Sequence, residues 1–236
     1  YIVDNSSDSI TEASSSGSGT DTVHSSAHFT LPNNVENLRL TGSAHLIGKG
    51  NSSNNILIGN SGANTLYGYE GDDTLNGGDG NDTAVFSDQD NYIDLSISTR
   101  YDTGDGNDLL ISIENANAGG GNNTIVGNSA SNRFTGGSGN DTFIGKEGND
   151  FLTGGEGDDT LNGGDGFDRA YFYSNVDHVI DLRITVSQDT GEGNDTLTSI
   201  ESLILGSGDD IVYGNSERNY FSGGNGNDTL FGYEGN

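Results

Sequence analysis

Apolar residues recur along this chain at intervals of nine. Between residues 136 and 171 the sequence reads GGSGNDTFI, GKEGNDFLT, GGEGDDTLN and GGDGFDRAY, and the eighth place of these units holds Phe143, Leu152, Leu161 and Ala170. One apolar side chain flanked by polar Thr or Asn suits a short strand with a single buried face, since successive strand side chains point to opposite sides. The first, second and fourth places are mostly glycine, as at Gly154, Gly155 and Gly157. Such spacing marks a six-residue turn whose backbone angles a side chain would block. The pattern predicts an all-β chain: an elongated parallel β-roll or β-helix solenoid with two short strands per coil and equivalent turns eighteen residues apart.

The sixth place carries the candidate chemistry. It is Asp141, Asp150, Asp159 and Asp168, where each turn becomes a strand, and the same phase picks out Asp73, Asp82, Asp108, Asp195, Asp210 and Asp228. At eighteen-residue spacing Asp141 stacks on Asp159 and Asp150 on Asp168. Stacked strands repeat at about 4.8 Å, so these like charges repel unless a cation sits between them. Carboxylates together with bare turn carbonyls are the hard-oxygen donors that Ca²⁺ prefers.

Around the central block the pattern is modulated. Residues 1–49 are expected to form degenerate N-terminal coils: 1–15 are polar and serine-rich and in isolation would read as linker, yet SGSGTDTVH (16–24) fits the unit with Asp21 sixth and Val23 eighth. A first block spans 50–85, with Asn55 and Asn64 where aspartate is expected. An amide supplies an oxygen but no charge, so these turns are expected to hold metal weakly or not at all; Asp159→Ala is expected to lower calcium-induced stability and Asn64→Ala to change it little. In the wider insert 86–117, Ile93, Leu95 and Ile97 alternate with Asp94 and Ser96, which predicts a longer half-buried strand before TGDGNDLLI restores the unit with Asp108. A second block, 118–171, is followed by a second insert, 172–204. There Ile180, Leu182, Ile184 and Val186 alternate with Asp181, Arg183 and Thr185, and TGEGNDTLT with Asp195 lies 87 residues after its counterpart. The third block is 205–236, with Asn219 as a weak position. Val35-Glu36-Asn37-Leu38 reappears as Ile113-Glu114-Asn115-Ala116 and as Ile200-Glu201-Ser202-Leu203, which places the first forty residues in the same repeat family. All six stretches are expected to form one continuous solenoid.

The consensus GGxGxDxUx resembles the RTX (repeats-in-toxin), or hemolysin-type, calcium-binding β-roll of bacterial secreted proteins. The resemblance implies several bound Ca²⁺ ions, each held by carbonyls at places 1 and 3 of one turn, carbonyls at places 2 and 4 of the turn one coil later, and the sixth-place aspartates. Carried over, one site uses Gly136, Ser138, Asp141, Gly155, Gly157 and Asp159. Its neighbour on the other edge uses Gly145, Glu147, Asp150, Gly164, Gly166 and Asp168. The same rule adds Gly71, Gly78, Gly80, Gly137 and Gly139 as carbonyl donors. The resemblance also implies an extracellular location after export by a type I secretion machinery reading a C-terminal signal. No such signal is visible at 232–236, which stop inside a repeat, so the chain is expected to be a segment of a longer protein. The open edge after Phe231 is expected to self-associate end to end.

Composition narrows the classes. With 39 Gly, one Pro and no Cys among 236 residues, the chain is neither a disulfide scaffold nor an ordinary globular enzyme. A hydrophobic content of 30% is thin for one closed core but sufficient for a solenoid, where each coil shares a narrow apolar strip with its neighbours. A net charge of −28 with only eight Lys and Arg excludes nucleic acid as a partner. No apolar run approaches the ~20 residues of a membrane span, so no membrane insertion is expected. Tyr1 does not begin a signal peptide.

Catalytic signatures are missing: there is no zinc motif, nucleophile elbow or phosphate loop. His24 and His28 read as surface residues, His45 and His178 as isolated ones, and the Gly-rich loop at 77–80 lacks the lysine of a nucleotide site. Tyr67, Tyr69, Tyr213, Tyr220 and Tyr233 read as ordinary strand and turn residues. Lys49, Arg133, Lys146, Arg169, Arg183 and Arg218 look too scattered to form a basic strip for a surface polysaccharide. The sequence therefore points to a non-enzymatic extracellular module, folded by Ca²⁺, of a larger secreted or cell-surface protein of the surface-layer or adhesive kind. The alternatives are the C-terminal accessory region of a secreted enzyme, such as a serralysin-type protease or alginate epimerase, and a glycan-binding module.

Overall fold

A computed structural model describes residues 1–12 and 19–233. The serine-rich segment 13–18, with the start of the SGSGTDTVH unit, and the final residues 234–236 lie outside the described residues. Among the described residues there is no helix; the chain is all strands and turns, most strands being three residues long. It divides into two compact units, Tyr1–Asn117 and Ala118–Asn236.

In the first unit one parallel ladder runs through Ile2–Val3, Thr22–Ser25, Asn37–Leu40, Ile56–Ile58, Thr74–Asn76 and Asn107–Ile111. A second runs through Phe29–Thr30, Ile47–Lys49, Thr65–Tyr67, Thr83–Val85 and Asn115–Asn117. Leu57 pairs with Leu75 and Leu66 with Ala84, both at a shift of eighteen residues, so two nonapeptides do make one coil.

The second unit repeats the plan. Thr124–Val126, Thr142–Ile144, Thr160–Asn162 and Asn194–Thr198 form one parallel ladder, and Arg133–Ser138, Phe151–Glu156, Arg169–Phe172, Ser202–Leu205 and Tyr220–Ser222 another. Val179–Asp181, Ile211–Tyr213 and Thr229–Phe231 add a third. The eighth-place side chains point between the ladders and are fully buried: Phe134, Phe143, Leu152 and Leu161 here, Leu57, Leu66 and Leu75 in the first unit. Phe134 and Phe143 meet edge to face, ring centroids 5.7 Å apart.

The inserts differ from expectation. In place of one long strand, each gives a three-residue strand, Tyr92–Asp94 or Val179–Asp181. Asp94 and Asp181 then accept the backbone N–H two residues on, from Ser96 and Arg183, at 2.8 and 2.9 Å. That is the Asx turn by which a short carboxylate breaks a strand. The chain returns as a two-residue strand, Tyr101–Asp102 or Gln188–Asp189, paired antiparallel with the restored repeat. Ile93 and Ile180 are buried as expected, but Ile184 and Val186 stand exposed. Coils with an insert therefore advance the register by 35 or 36 residues, as at Thr74–Leu109 and Thr160–Thr196.

Phe143→Ala is expected to lower the stability of the calcium-loaded chain by about 3–5 kcal/mol, the cost of deleting a fully buried aromatic ring. Urea unfolding at saturating calcium measures it.

Candidate metal centre

The sixth-place aspartates stand where turn meets strand. One carboxylate oxygen of each, Oδ1, accepts the backbone N–H of the sixth residue one coil before: Asp141 N–H to Asp159 at 2.8 Å, Asp150 N–H to Asp168 at 2.7 Å. Both predicted pairs are thus brought together, with the Asp210–Asp228 pair stacked in the same way. The turns around them stack as well: Gly137 pairs with Gly155 and Ser138 with Glu156, while Glu147 bridges to Asp165.

The other oxygen has no partner. Oδ2 of Asp73, Asp82, Asp141, Asp150, Asp168 and Asp210 is buried without a hydrogen bond. An unsatisfied carboxylate oxygen away from water is expensive, and burial pushes Asp82, Asp141 and Asp150 up to about 6 and Asp73 to about 7; burial likewise raises Asp159 to about 8. Among the described residues no three acidic or histidine side chains converge. A cation here must draw its remaining oxygens from turn carbonyls, which is a donor set Ca²⁺ accepts.

The turn backbone is built for this. The second place takes a left-handed conformation, at Gly155 with φ 111° and also where the residue is not glycine: Tyr69 has φ 69° and Lys146 φ 76°. That conformation costs a non-glycine residue about 1–2 kcal/mol, so the stacked geometry imposes it. Close approach demands glycine at the first place, where a Cβ on Gly136 would stand against Asp141 Oδ2 and one on Gly145 against Asp150 Oδ2. Gly78 and Gly80 face Asn60 and Gly62 of an asparagine turn, and Gly71 faces Ser53 of another, so Asp73 and Asp82 stack on asparagine turns on that side.

Asp108 and Asp195 are different. Their turns begin with Thr103 and Thr190, whose hydroxyls donate to Oδ2 of the same turn's aspartate, while Oδ1 accepts the N–H of Asp73 or Asp159 at 2.8 Å. Both oxygens thus accept a hydrogen bond here, unlike the orphaned Oδ2 of the other aspartates.

Sequence reasoning missed three residues. Glu114 and Glu201 in the insert-bearing coils, and Glu36 in a shorter coil, occupy the aspartate's position, their Oε2 accepting the N–H of Asp82, Asp168 and Asp21 at 2.8, 2.8 and 2.9 Å. The signal was the recurring Val/Ile-Glu motif, whose glutamate falls outside the nonapeptide phase. His178 is likewise fully buried, its ring nitrogen 2.7 Å from the Thr190 carbonyl oxygen and its backbone N–H on Asp210 Oδ1 at 2.8 Å. Asn64, at a place where aspartate is expected, is buried and bonded through both side-chain ends to Asn60.

A family model of the RTX calcium-binding nonapeptide repeat matches four copies, at residues 49–84, 113–143, 135–170 and 204–236, together more than half of the chain. The chain belongs to the RTX calcium-binding repeat family. It is therefore a calcium-binding repeat module. No curated protein matches the chain.

Asp150→Ala is expected to weaken half-saturation by calcium and to lower calcium-loaded stability by about 3–5 kcal/mol, the scale for breaking a buried charged contact. Asp108→Ala is expected to leave calcium half-saturation unchanged. Calcium titration followed by circular dichroism separates the two; equal shifts would show that the threonine hydroxyl does not set the difference.

Proposed function

We propose that the chain is an extracellular module whose folding is driven by calcium, within a larger secreted or cell-surface RTX protein. The observation that carries this is the buried carboxylate oxygen without a hydrogen-bond partner that recurs turn after turn. Without a cation such a stack is disfavoured by desolvation and like charge, and glycine-rich turns add a larger backbone entropy cost than other residues would. Calcium then couples folding to location: the aspartate-turn coils stay unfolded where calcium is scarce, as export requires, and fold in a calcium-rich medium. The family's usual type I export and the absence of cysteine support the extracellular setting.

Circular dichroism tests it. In excess EGTA most of the β signal is expected to be lost and to return at millimolar calcium; an unchanged spectrum in EGTA would sink the reading.

One observation favours binding of an acidic glycan as a second activity. Three of the basic residues that look scattered in sequence gather in the second unit: Arg133, Phe151 and Arg169 are ladder partners, and Arg218 lines a cavity of about 310 Å³ with Phe167, Arg169 and Tyr220. Arg169 lies 4.9 Å over the Phe151 ring and Arg133 5.6 Å over Tyr171, which stacks on Phe151. Guanidinium groups beside aromatic faces suit a carboxylated sugar. A uronate-containing oligosaccharide is expected to bind in calcium and to lose affinity at least about tenfold in Arg133→Ala/Arg169→Ala, a change of ~1.4 kcal/mol. Equal binding by the double variant removes this reading.

A further inference from the structure

Four turns, 50–55, 59–64, 127–132 and 214–219, read GNSSNN, GNSGAN, GNSASN and GNSERN, with asparagine at places 2 and 6. All four share one set of bonds. The N–H of place 2 donates to Oδ1 of place 6 at 2.7–3.0 Å, the amide of place 6 donates back to Oδ1 of place 2 at 3.1–3.3 Å, and the N–H of place 4 donates to that same Oδ1 at 2.8–3.0 Å. The oxygen that is orphaned in an aspartate turn is here bonded within its own turn. The backbone differs too: places 2 and 4 of these turns have no positive φ, whereas in most of the aspartate turns both do, as at Gly155 and Gly157. That is why Ser, Ala or Glu can stand at place 4.

The remaining amide protons of place 2 go where a cation would be wanted. Asn51 Nδ2 donates to the carbonyls of Pro32 and Val35, both at 2.9 Å, in the turn one coil before. Asn60 Nδ2 donates to those of Thr41 and Ala44 at 3.1 and 3.0 Å. A side-chain NH₂ with two donors satisfies carbonyls that bare stacked turns would leave to an ion or water. The aspartate runs begin on these turns: Asn55 N–H donates to Asp73 Oδ1 at 2.7 Å, Asn64 N–H to Asp82 Oδ1 at 2.6 Å. In the second unit Asn132 N–H donates to Asp150 Oδ1 at 2.8 Å.

We propose that the place-2 asparagine amide substitutes for calcium, so that the Gly-Asn turns close without metal and hold a calcium-independent stretch of coil in the first unit onto which the aspartate turns fold when calcium arrives. This rests on the calcium reading only for its contrast with the aspartate turns.

Hydrogen exchange followed by mass spectrometry on the 1–236 chain, stripped of metal and then at saturating calcium, tests it. In the absence of calcium the amides of Ile56–Ile58 and Thr65–Tyr67 are expected to exchange at least ~10-fold slower than an unfolded chain, while those of Thr142–Ile144 and Thr160–Asn162 exchange freely and slow only with calcium. Asn60→Gly/Asn64→Asp, which turns GNSGAN into an aspartate turn, is expected to fold in calcium and to lose the calcium-free protection of Thr65–Tyr67. Free exchange of Ile56–Ile58 and Thr65–Tyr67 in the metal-stripped wild type overturns the inference while leaving calcium-driven folding intact. Protection of Thr142–Ile144 without calcium does the reverse. Retained calcium-free protection in the double variant also overturns the inference, and should that variant fail to fold in calcium, the wild-type pattern decides alone.

Discussion

A buried carboxylate oxygen without a partner is the constraint on which the structure depends. Most of the sixth-place aspartates spend one oxygen on the backbone of the previous coil, which locks the register, and leave the other buried without a hydrogen bond. The first bond is worth making with or without metal. The second oxygen makes the stacked state costly until a hard cation with room for several oxygen donors takes it up. Structure and ligand requirement therefore come from the same side chain.

The chain contains three answers to that constraint. Where places 1 and 2 are glycine or a residue forced into the left-handed region, the aspartate oxygen is left for calcium. Where place 1 is threonine, at Thr103 and Thr190, a hydroxyl proton occupies the oxygen and the turn stands next to an insert. Where places 2 and 6 are asparagine, the turn closes on itself.

The inserts interrupt this rhythm without breaking the register. Asp94 and Asp181 end their strands through local N–H contacts, short antiparallel returns follow, and glutamates at 36, 114 and 201 restore the acceptor on the backbone of an earlier coil. Glutamate fills the role of aspartate where the spacing to the preceding acceptor is 15, 32 or 33 residues instead of eighteen.

Much of this was legible in the sequence, since a nine-residue period read twice per coil fixes which residues share a ladder: Asp141 with Asp159, Phe143 with Leu161. The period also fixes side-chain direction, so the core at Phe134, Leu152 and Leu161 and the polar ladder beside it follow from alternation alone. What the period could not show is the fate of each oxygen. Asp108 and Asp150 occupy the same place in the repeat, yet one is capped by a threonine hydroxyl and the other is not. Asn64 looks like a weakened ligand in sequence and proves to be one half of a closed amide pair. Arg133 and Arg169, 36 residues apart in the chain, flank Phe151 only because two coils of eighteen residues stack in register. Position in a ladder is set by local spacing, which a sequence displays; hydrogen-bond satisfaction and the neighbours of an outward side chain depend on which turns are stacked above and below, and only the folded coils determine those.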